Sequence, residues 1–404
     1  MTQQQNAGPT FNSRVRGLLH GVAFGDAIGA PVEKLTPAEI KQLYGRVETL
    51  DTQWHRTSRD PAAGNGRVRG NGIVTDDTLM TLSLIAVYNE VRRHIDAWDM
   101  AEGFVRQIAW VHRYVPELQR ECALLERLFY PEKWIFQRHQ LSSCDPRQGG
   151  IGNMVNCGAA MYIAPIGVVN ACDPIAAYDE AIAFASGHQQ SYGLEAAGVL
   201  AAAVAAAFVP QTSIGEIVGS AHALAKDGTR TAIADIAEAA EILRDKGAEP
   251  DEIVTTFHAR IARFSALGDD LDHTSARAGQ PNAGYQPSRF QAIEELPLAL
   301  GFAIAAGGDF RTAIENGINS GRDTDSIGVM AGAILGAMHG EAVIDAAEAA
   351  QIDKINRLDL ASEAGRFADT ALAIMAADDA RRTELATRRA AIFGDRTPER
   401  AMAL

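Results

Sequence analysis

The chain has 404 residues, 47% of them hydrophobic and only 6% aromatic, with a formal net charge of −14. That balance fits an ordinary globular protein with a large core, and it excludes nucleic acid as a partner, since phosphate binding needs a basic face. The first residues, MTQQQNAGPTFNSR, lack the apolar region of a secretory signal, and Leu194 to Val209, the longest apolar stretch, is shorter than the roughly 20 residues that span a bilayer. No membrane is therefore expected. Cys122, Cys144, Cys157 and Cys172 show no CxxC spacing, which fits a reducing, cytoplasmic setting.

In chain order, the first notable stretch is GVAFGDAIGAPVE, which carries Asp26 and Glu33. Asp26 reads as an acid bonding nearby amides in a Gly-rich turn. Glu33, just after Pro31 in an apolar stretch, needs a partner or a job. Next comes a Gly- and Arg-rich loop, Thr57 to Gly72. TDDT (Thr75 to Thr78) then opens a helix over Thr78 to Arg93, where Leu79, Leu82, Ile85, Ala86 and Tyr88 recur at helical spacing. Asp173 and Pro174 cap a helix over Ile175 to Ser186. Further helices are expected at Gly193 to Phe208, Ser213 to Ala225, Arg230 to Lys246, Pro250 to Phe264 and Ala292 to Ala306. A long polar loop runs from Gly268 to Ser288. DTDS (Asp323 to Ser326) opens a last apolar helix, on which Gly328, Gly332 and Gly336 mark a crowded helix crossing. Strand-like alternation is absent, so the fold class is all-α. Residues 1–376 read as one domain, and 377–404 as a charged helical tail.

Two acidic motifs, TDDT and DTDS, each place a pair of acids with flanking hydroxyls at a helix start. A helix N-terminus favours one negative side chain through its free N–H groups and dipole. Two acids at each start exceed that need. A pair of hard divalent cations would use them, because Mg²⁺ and Mn²⁺ take oxygen ligands. Either motif alone remains open to the capping reading. An EF-hand is excluded: Ile327 and Ile334 stand where ligands are required.

Taken together, GDAIGAPVE, TDDT, NCGAAMYIAPIG and GRDTDSIGVMAGAILGA resemble the ADP-ribosylglycohydrolase family in order and approximate spacing, over about Arg14 to Phe367. The resemblance implies a compact orthogonal helical bundle with two Mg²⁺ or Mn²⁺ ions at the base of a cleft. It implies hydrolysis at the anomeric carbon of an ADP-ribosyl group carried by a protein side chain or small acceptor. By position, Thr75, Asp76, Asp77, Asp323, Asp325 and Ser326 would be metal ligands. Glu33, Asp77 and Asp323 would carry the catalysis, with Glu33 as general acid or base. Gly150, Gly152 and Asn156 would approach the ribose and phosphates, through a backbone anion nest or as a plain turn. Tyr162 and His188 would border the leaving group, although His188 also reads as a core histidine. Arg67, Arg69 and Arg322 are further candidates for phosphate. The sequence departs from the family at Tyr162, where Arg is usual, at Gly187-His188, where Thr-His is usual, and at Asn153 to Val155. These departures leave open an N-ribosyl hydrolase acting on a nucleoside or other small ribosyl metabolite, or a ligand-binding protein without turnover.

Overall fold

The computed structural model describes residues 8–56, 66–154, 156–264 and 293–393. The long polar loop at 268–288, most of the loop at 57–72 and the end of the chain at 394–404 lie outside the described residues.

The principal helices are α1 (Phe11–Gly29), α2 (Pro37–Tyr44), α3 (Asp76–Val91), α4 (Tyr130–Phe136), α5 (Pro174–Ala185), α6 (Ser191–Ala207), α7 (Ile214–Leu224), α8 (Asp227–Asp245), α9 (Pro250–Ile261), α10 (Glu295–Ala305), α11 (Phe310–Asn319), α12 (Thr324–His339), α13 (Ala346–Asn356) and α14 (Leu360–Phe393). The expected helices are all present, with ends within a few residues of those read from the sequence. The start of α3 moves back to Asp76, because Thr75 rather than a later residue accepts the capping N–H of Asp77. The one departure from an all-α chain among the described residues is a short antiparallel hairpin, β1 (His112–Val115) with β2 (Arg120–Ala123). Four residues per strand leave too little alternation to read in advance.

The centre of the bundle is the antiparallel pair α1 and α12, the most extensive helix contact in the protein. Four glycines on α1 (Gly17, Gly21, Gly25 and Gly29) face Gly336, Gly332, Gly328 and Asp325 in turn. A Cβ at any of the four would stand closer than 3.0 Å to the backbone of α12. The crowded crossing expected at Gly328, Gly332 and Gly336 is therefore real, and its partner is α1. Around this pair α6, α10 and α11 supply an almost unbroken apolar core.

The contact directs chemistry as well as packing. Because the helices are antiparallel, the C-terminal end of α1 lies against the N-terminal end of α12. Thr324 Oγ1 donates to Gly29 O (2.9 Å), fixing the two ends together. Just beyond, the backbones clasp: Lys34 N donates to Arg322 O (2.8 Å) and Arg322 N donates to Leu35 O (3.1 Å). Both Lys34 and Arg322 adopt left-handed backbone, φ 71° and 73°, a conformation uncommon outside glycine.

Helix α14 runs unbroken through residue 376, so the expected tail begins inside a helix rather than at a linker. His94 holds this region, with Nε2 2.7 Å from Asp378 Oδ2 and Nδ1 2.6 Å from Glu180 Oε2. Among the described residues no helix is long and apolar enough to cross a membrane. All four cysteines are unpaired.

Candidate functional site

The DTDS motif arrives at the site as the first turn of α12, delivered by the glycine contact with α1. The TDDT motif arrives as the first turn of α3, and Asp26 fixes it. Asp26 is fully buried within α1. Its Oδ2 accepts from Thr75 N (2.8 Å), Thr78 N (3.1 Å) and Thr78 Oγ1 (2.5 Å). The expectation of local amides in a Gly-rich turn is corrected here: Asp26 does bind amides, but those of a distant helix start. It caps α3 from outside, satisfying N–H groups that the helix leaves free.

The two motifs meet directly. Ser326 Oγ donates to Asp77 Oδ2 at 3.1 Å, across 249 residues of sequence. Oxygens of Glu33, Asp323 and Asp325 lie within 4.8 Å of one another. Thr75, Asp76, Asp77, Asp325 and Ser326 are buried, whereas Glu33 and Asp323 are half-buried.

The electrostatics divide this cluster in two. Glu33 pairs with Lys34 (3.0 Å) and with Arg69. Burial alone would raise its pKa, but the two cations outweigh that and hold Glu33 well below the usual carboxylate range. Arg69 also binds Glu117 (2.6 Å), Glu117 binds Arg127, and Arg127 binds Asp76. Burial likewise raises Glu117, and Arg127 and Arg69 reverse it. A buried lattice of alternating charge thus runs along one side of the site.

On the other side the same cations act more weakly than burial and the neighbouring acids. Burial pushes Asp77 well up, and Asp325, Asp26, Asp76 and Asp323 push it further. Asp323 is raised to about 7 by burial, Glu295 and Glu33. Burial raises Asp26 to about 7 as well, against its hydrogen bonds to Thr78 and Thr75. Asp325 is pushed well up by burial, Glu33 and Asp323, with Arg69 opposing at 3.9 Å. Mutually repelling buried carboxylates with hydroxyls between them form a donor set of oxygens alone. That set fits hard divalent cations, and the excess negative charge is what such cations would neutralise.

The residues expected around the substrate have protein partners of their own. Gly150 N donates to Ser186 O (2.9 Å), Ile151 N to Gln148 O (3.1 Å) and Asn153 N to Gly150 O (2.9 Å). Gly152 N reaches Gln190 Oε1 at 3.3 Å. Gly150 to Asn153 thus form a turn in which each backbone N–H has a protein acceptor. Asn156 is tied to Glu132 (Nδ2 to Oε1, 2.8 Å) and to Gln189 (Oδ1 from Nε2, 3.0 Å). Tyr162 and His188 are both 0% exposed. Tyr162 stacks on Phe104 at 4.8 Å and its hydroxyl meets His188 Nδ1 at 2.8 Å. Burial, with a lesser push from His139, lowers His188 to about 3, so the ring is neutral. These two residues sit in the core beneath the loop. The three arginines also have protein partners: Arg67 donates to Arg127 O (2.7 Å), Arg69 sits in the charge lattice, and Arg322 pairs with Glu294 (2.7 Å).

Sequence reasoning missed Glu117, Arg127 and Glu132. Glu132 is buried, and burial followed by Asp76 raises it to about 8. Glu117 lies in the turn of the hairpin and Arg127 just after it, and neither carries a motif of its own.

Comparison with known proteins agrees with this geometry. A profile of the ADP-ribosylglycohydrolase family matches residues 7–382. The uncharacterized protein YegU of Escherichia coli is 27% identical over 354 residues, covering 86% of this chain and 93% of its own. ADP-ribosylhydrolase ARH3 of Bos taurus is 23% identical over 352 residues, 81% of this chain and 85% of its own. The ADP-ribosyl-[dinitrogen reductase] glycohydrolase of Rhodospirillum rubrum is 41% identical over 78 residues, only 19% of this chain and 22% of its own. Among solved structures, an ADP-ribosylglycohydrolase-related protein complex shares the fold, with a TM-score of 0.53 and 22% identity over 90% of this chain and 97% of its own. With its helical bundle and converging acidic motifs, the chain belongs to the ADP-ribosylglycohydrolase family.

Proposed function

We propose that the protein is a metal-dependent hydrolase that cleaves the glycosidic bond at the anomeric carbon of an ADP-ribosyl group carried by a protein side chain or small acceptor. The observation that carries this reading is the contact of Ser326 with Asp77, which joins the heads of α3 and α12 into one oxygen-rich cluster. Thr75, Asp76, Asp77, Asp323, Asp325 and Ser326 would hold two ions of the Mg²⁺ or Mn²⁺ kind. When bound, such ions orient vicinal ribose hydroxyls, polarise oxygens and lower the pKa of water.

The chain's own residues then have distinct tasks. Glu33 is the residue we assign as general acid or base at the anomeric carbon; its pairs with Lys34 and Arg69 hold it ionised and must loosen before it takes a proton. Asp77 and Asp323 anchor the two sides of the cluster. Asp26 acts behind them, fixing α3 so that Asp76 and Asp77 keep their direction.

A second reading has a specific observation in its favour. The N–H groups around Gly150 and Gly152 are engaged, and Arg67, Arg69 and Arg322 all contact protein groups. Among the described residues these candidates for a diphosphate are thus engaged by the protein itself, which suits an N-ribosyl hydrolase for a nucleoside or other small ribosyl metabolite.

One screen tests both. ADP-ribosyl-arginine, ADP-ribosyl-serine, O-acetyl-ADP-ribose and plain nucleosides are assayed with Mg²⁺ and with Mn²⁺, beside Glu33→Gln. Selective release of ADP-ribose, lost in the variant, supports the first reading, and nucleoside cleavage supports the second. Tight ADP-ribose binding without turnover of any substrate would make the protein a non-catalytic member of the fold.

A further inference from the structure

Beside the oxygen cluster lies a second convergence of a different chemical kind. Cys157 Sγ and one carboxylate oxygen each from Glu295 and Asp323 all lie within 4.8 Å of one another. Cys157 and Glu295 are 2% and 3% exposed. The three come from separate elements: the central loop, the first residue of α10 and the residue that precedes α12. A buried cysteine ordinarily packs as a small hydrophobe. This one aims its sulfur at a carboxylate, 3.7 Å from Asp323 Oδ2. Glu295 is the strongest neighbouring charge acting on Asp323, ahead of Glu33.

The donor types decide what such a group would take. Mg²⁺ and Mn²⁺ prefer oxygen alone, whereas Zn²⁺ accepts thiolate and carboxylate together. Zinc bonds of roughly 2.0–2.3 Å put tetrahedral ligands roughly 3.3–3.8 Å apart. The sulfur and Asp323 already stand at that separation, and closing the rest from 4.8 Å asks only a side-chain adjustment of about 1 Å, within reach of a rotamer shift. Three protein ligands would leave a fourth position open.

We propose that Cys157, Glu295 and Asp323 form an additional cation site for a thiophilic divalent ion of the zinc class, and that this site shares Asp323 with the oxygen cluster. Binding forms the sulfur–metal bond as the thiol proton leaves to solvent. Because Asp323 cannot serve both centres fully, an ion here withdraws a ligand from the hydrolytic one. Zinc held by Cys157 and Glu295 is therefore an inhibitor, in addition to any zinc that displaces the Mg²⁺ or Mn²⁺ pair. The inhibition rests on the hydrolase reading above, whereas the binding does not.

The test uses the full chain in excess Mg²⁺. Zinc affinity is measured by competition with a chromophoric chelator in the parent, Cys157→Ser and Glu295→Gln. Both variants are expected to bind zinc roughly ten-fold or more weaker, the scale on which metal sites feel the loss even of a supporting group. The thermal shift induced by Mg²⁺ should be unchanged in Cys157→Ser. Cobalt(II) should give a thiolate-to-metal charge-transfer band in the parent and none in Cys157→Ser. Equal zinc affinity in all three proteins, or a parent without that band, overturns the site. With an ADP-ribosyl substrate, zinc should inhibit the parent at concentrations about ten-fold below those needed for Cys157→Ser. If no such substrate is turned over, the hydrolase reading fails while the affinity and cobalt results still decide this one.

Discussion

The same two helices make two opposite kinds of contact. Along Gly17, Gly21 and Gly25, α1 meets α12 backbone against backbone with no side chain between them. One turn further on, the same pair ends among Asp26, Glu33, Asp323 and Asp325, a crowd of acids. The first contact gains dispersion and tolerates no added atom. The second holds charges that repel one another, and its shape persists because the first does not yield. The difference teaches that a strained polar site can be carried by an apolar device some distance away.

The sharpest way to break the comparison is at the glycines. Gly21→Leu or Gly332→Val should cost about 3 kcal/mol through overpacking, a large share of a domain's net stability. Circular dichroism melts would show this, and a variant melting within a few degrees of the parent would mean the helices separate easily. The next largest effect concerns the charge lattice. Glu117→Gln leaves Arg69 with Glu33 and Arg127 with Asp76 but removes the carboxylate shared between them. Breaking a buried ion pair from one side costs about 3 kcal/mol, to be read from the urea midpoint.

Asp77→Asn should act in the reverse direction. It removes one of the mutually repelling carboxylates, so the metal-free protein should melt at the same temperature or slightly higher. The thermal shift on adding Mg²⁺ should disappear, and activity should fall by about 100-fold or more, with loss of the metal chemistry. Equal metal-induced shifts in variant and parent would remove Asp77 from the ligand set.

The smallest effect lies outside both regions and serves as their control. His94 is raised to about 9, chiefly by its hydrogen bond to Glu180, with Asp378 adding to it. A raised histidine favours the folded state only while protonated. Its contribution is complete below about pH 6.5, the value of a free histidine, and is lost as pH rises through about 9. The ring is 36% exposed, so water screens the pair and the loss should stay below about 1 kcal/mol. The melting temperature of the parent should decline between pH 6.5 and 9.5, and His94→Gln should flatten that decline. An unchanged slope in the variant would assign the decline to other groups.

Much of this was legible in the sequence, for uneven reasons. The helices follow from apolar spacing and caps. The spacing of Gly328, Gly332 and Gly336 announced a close crossing. Gly17, Gly21, Gly25 and Gly29 repeat the same period and mark a second glycine face, but equal spacing carries no direction, so the antiparallel register appears only in the structure. The acid motifs were visible, but their contact depends on that helix pair and on Asp26, whose partners lie about 50 positions later in α3. Glu117 and Arg127 left no signal because single charges in and after a hairpin of two four-residue strands look like surface. Tyr162 and Gly187 carried departures from the family pattern, but only packing shows that Tyr162 and His188 are enclosed with Phe104.

The backbone clasp between Lys34 and Arg322 bears on how fast an ion could settle. Two reciprocal hydrogen bonds fix the segments that carry Glu33 and Asp323, so little ordering remains for an arriving cation to impose. Loading would then be slow or fast according to how readily the ion sheds its own water, and Mg²⁺ sheds it reluctantly. Association rates across a series of divalent ions would rank by their intrinsic water exchange, as they do for small rigid chelators, with no shared conformational step setting a common ceiling.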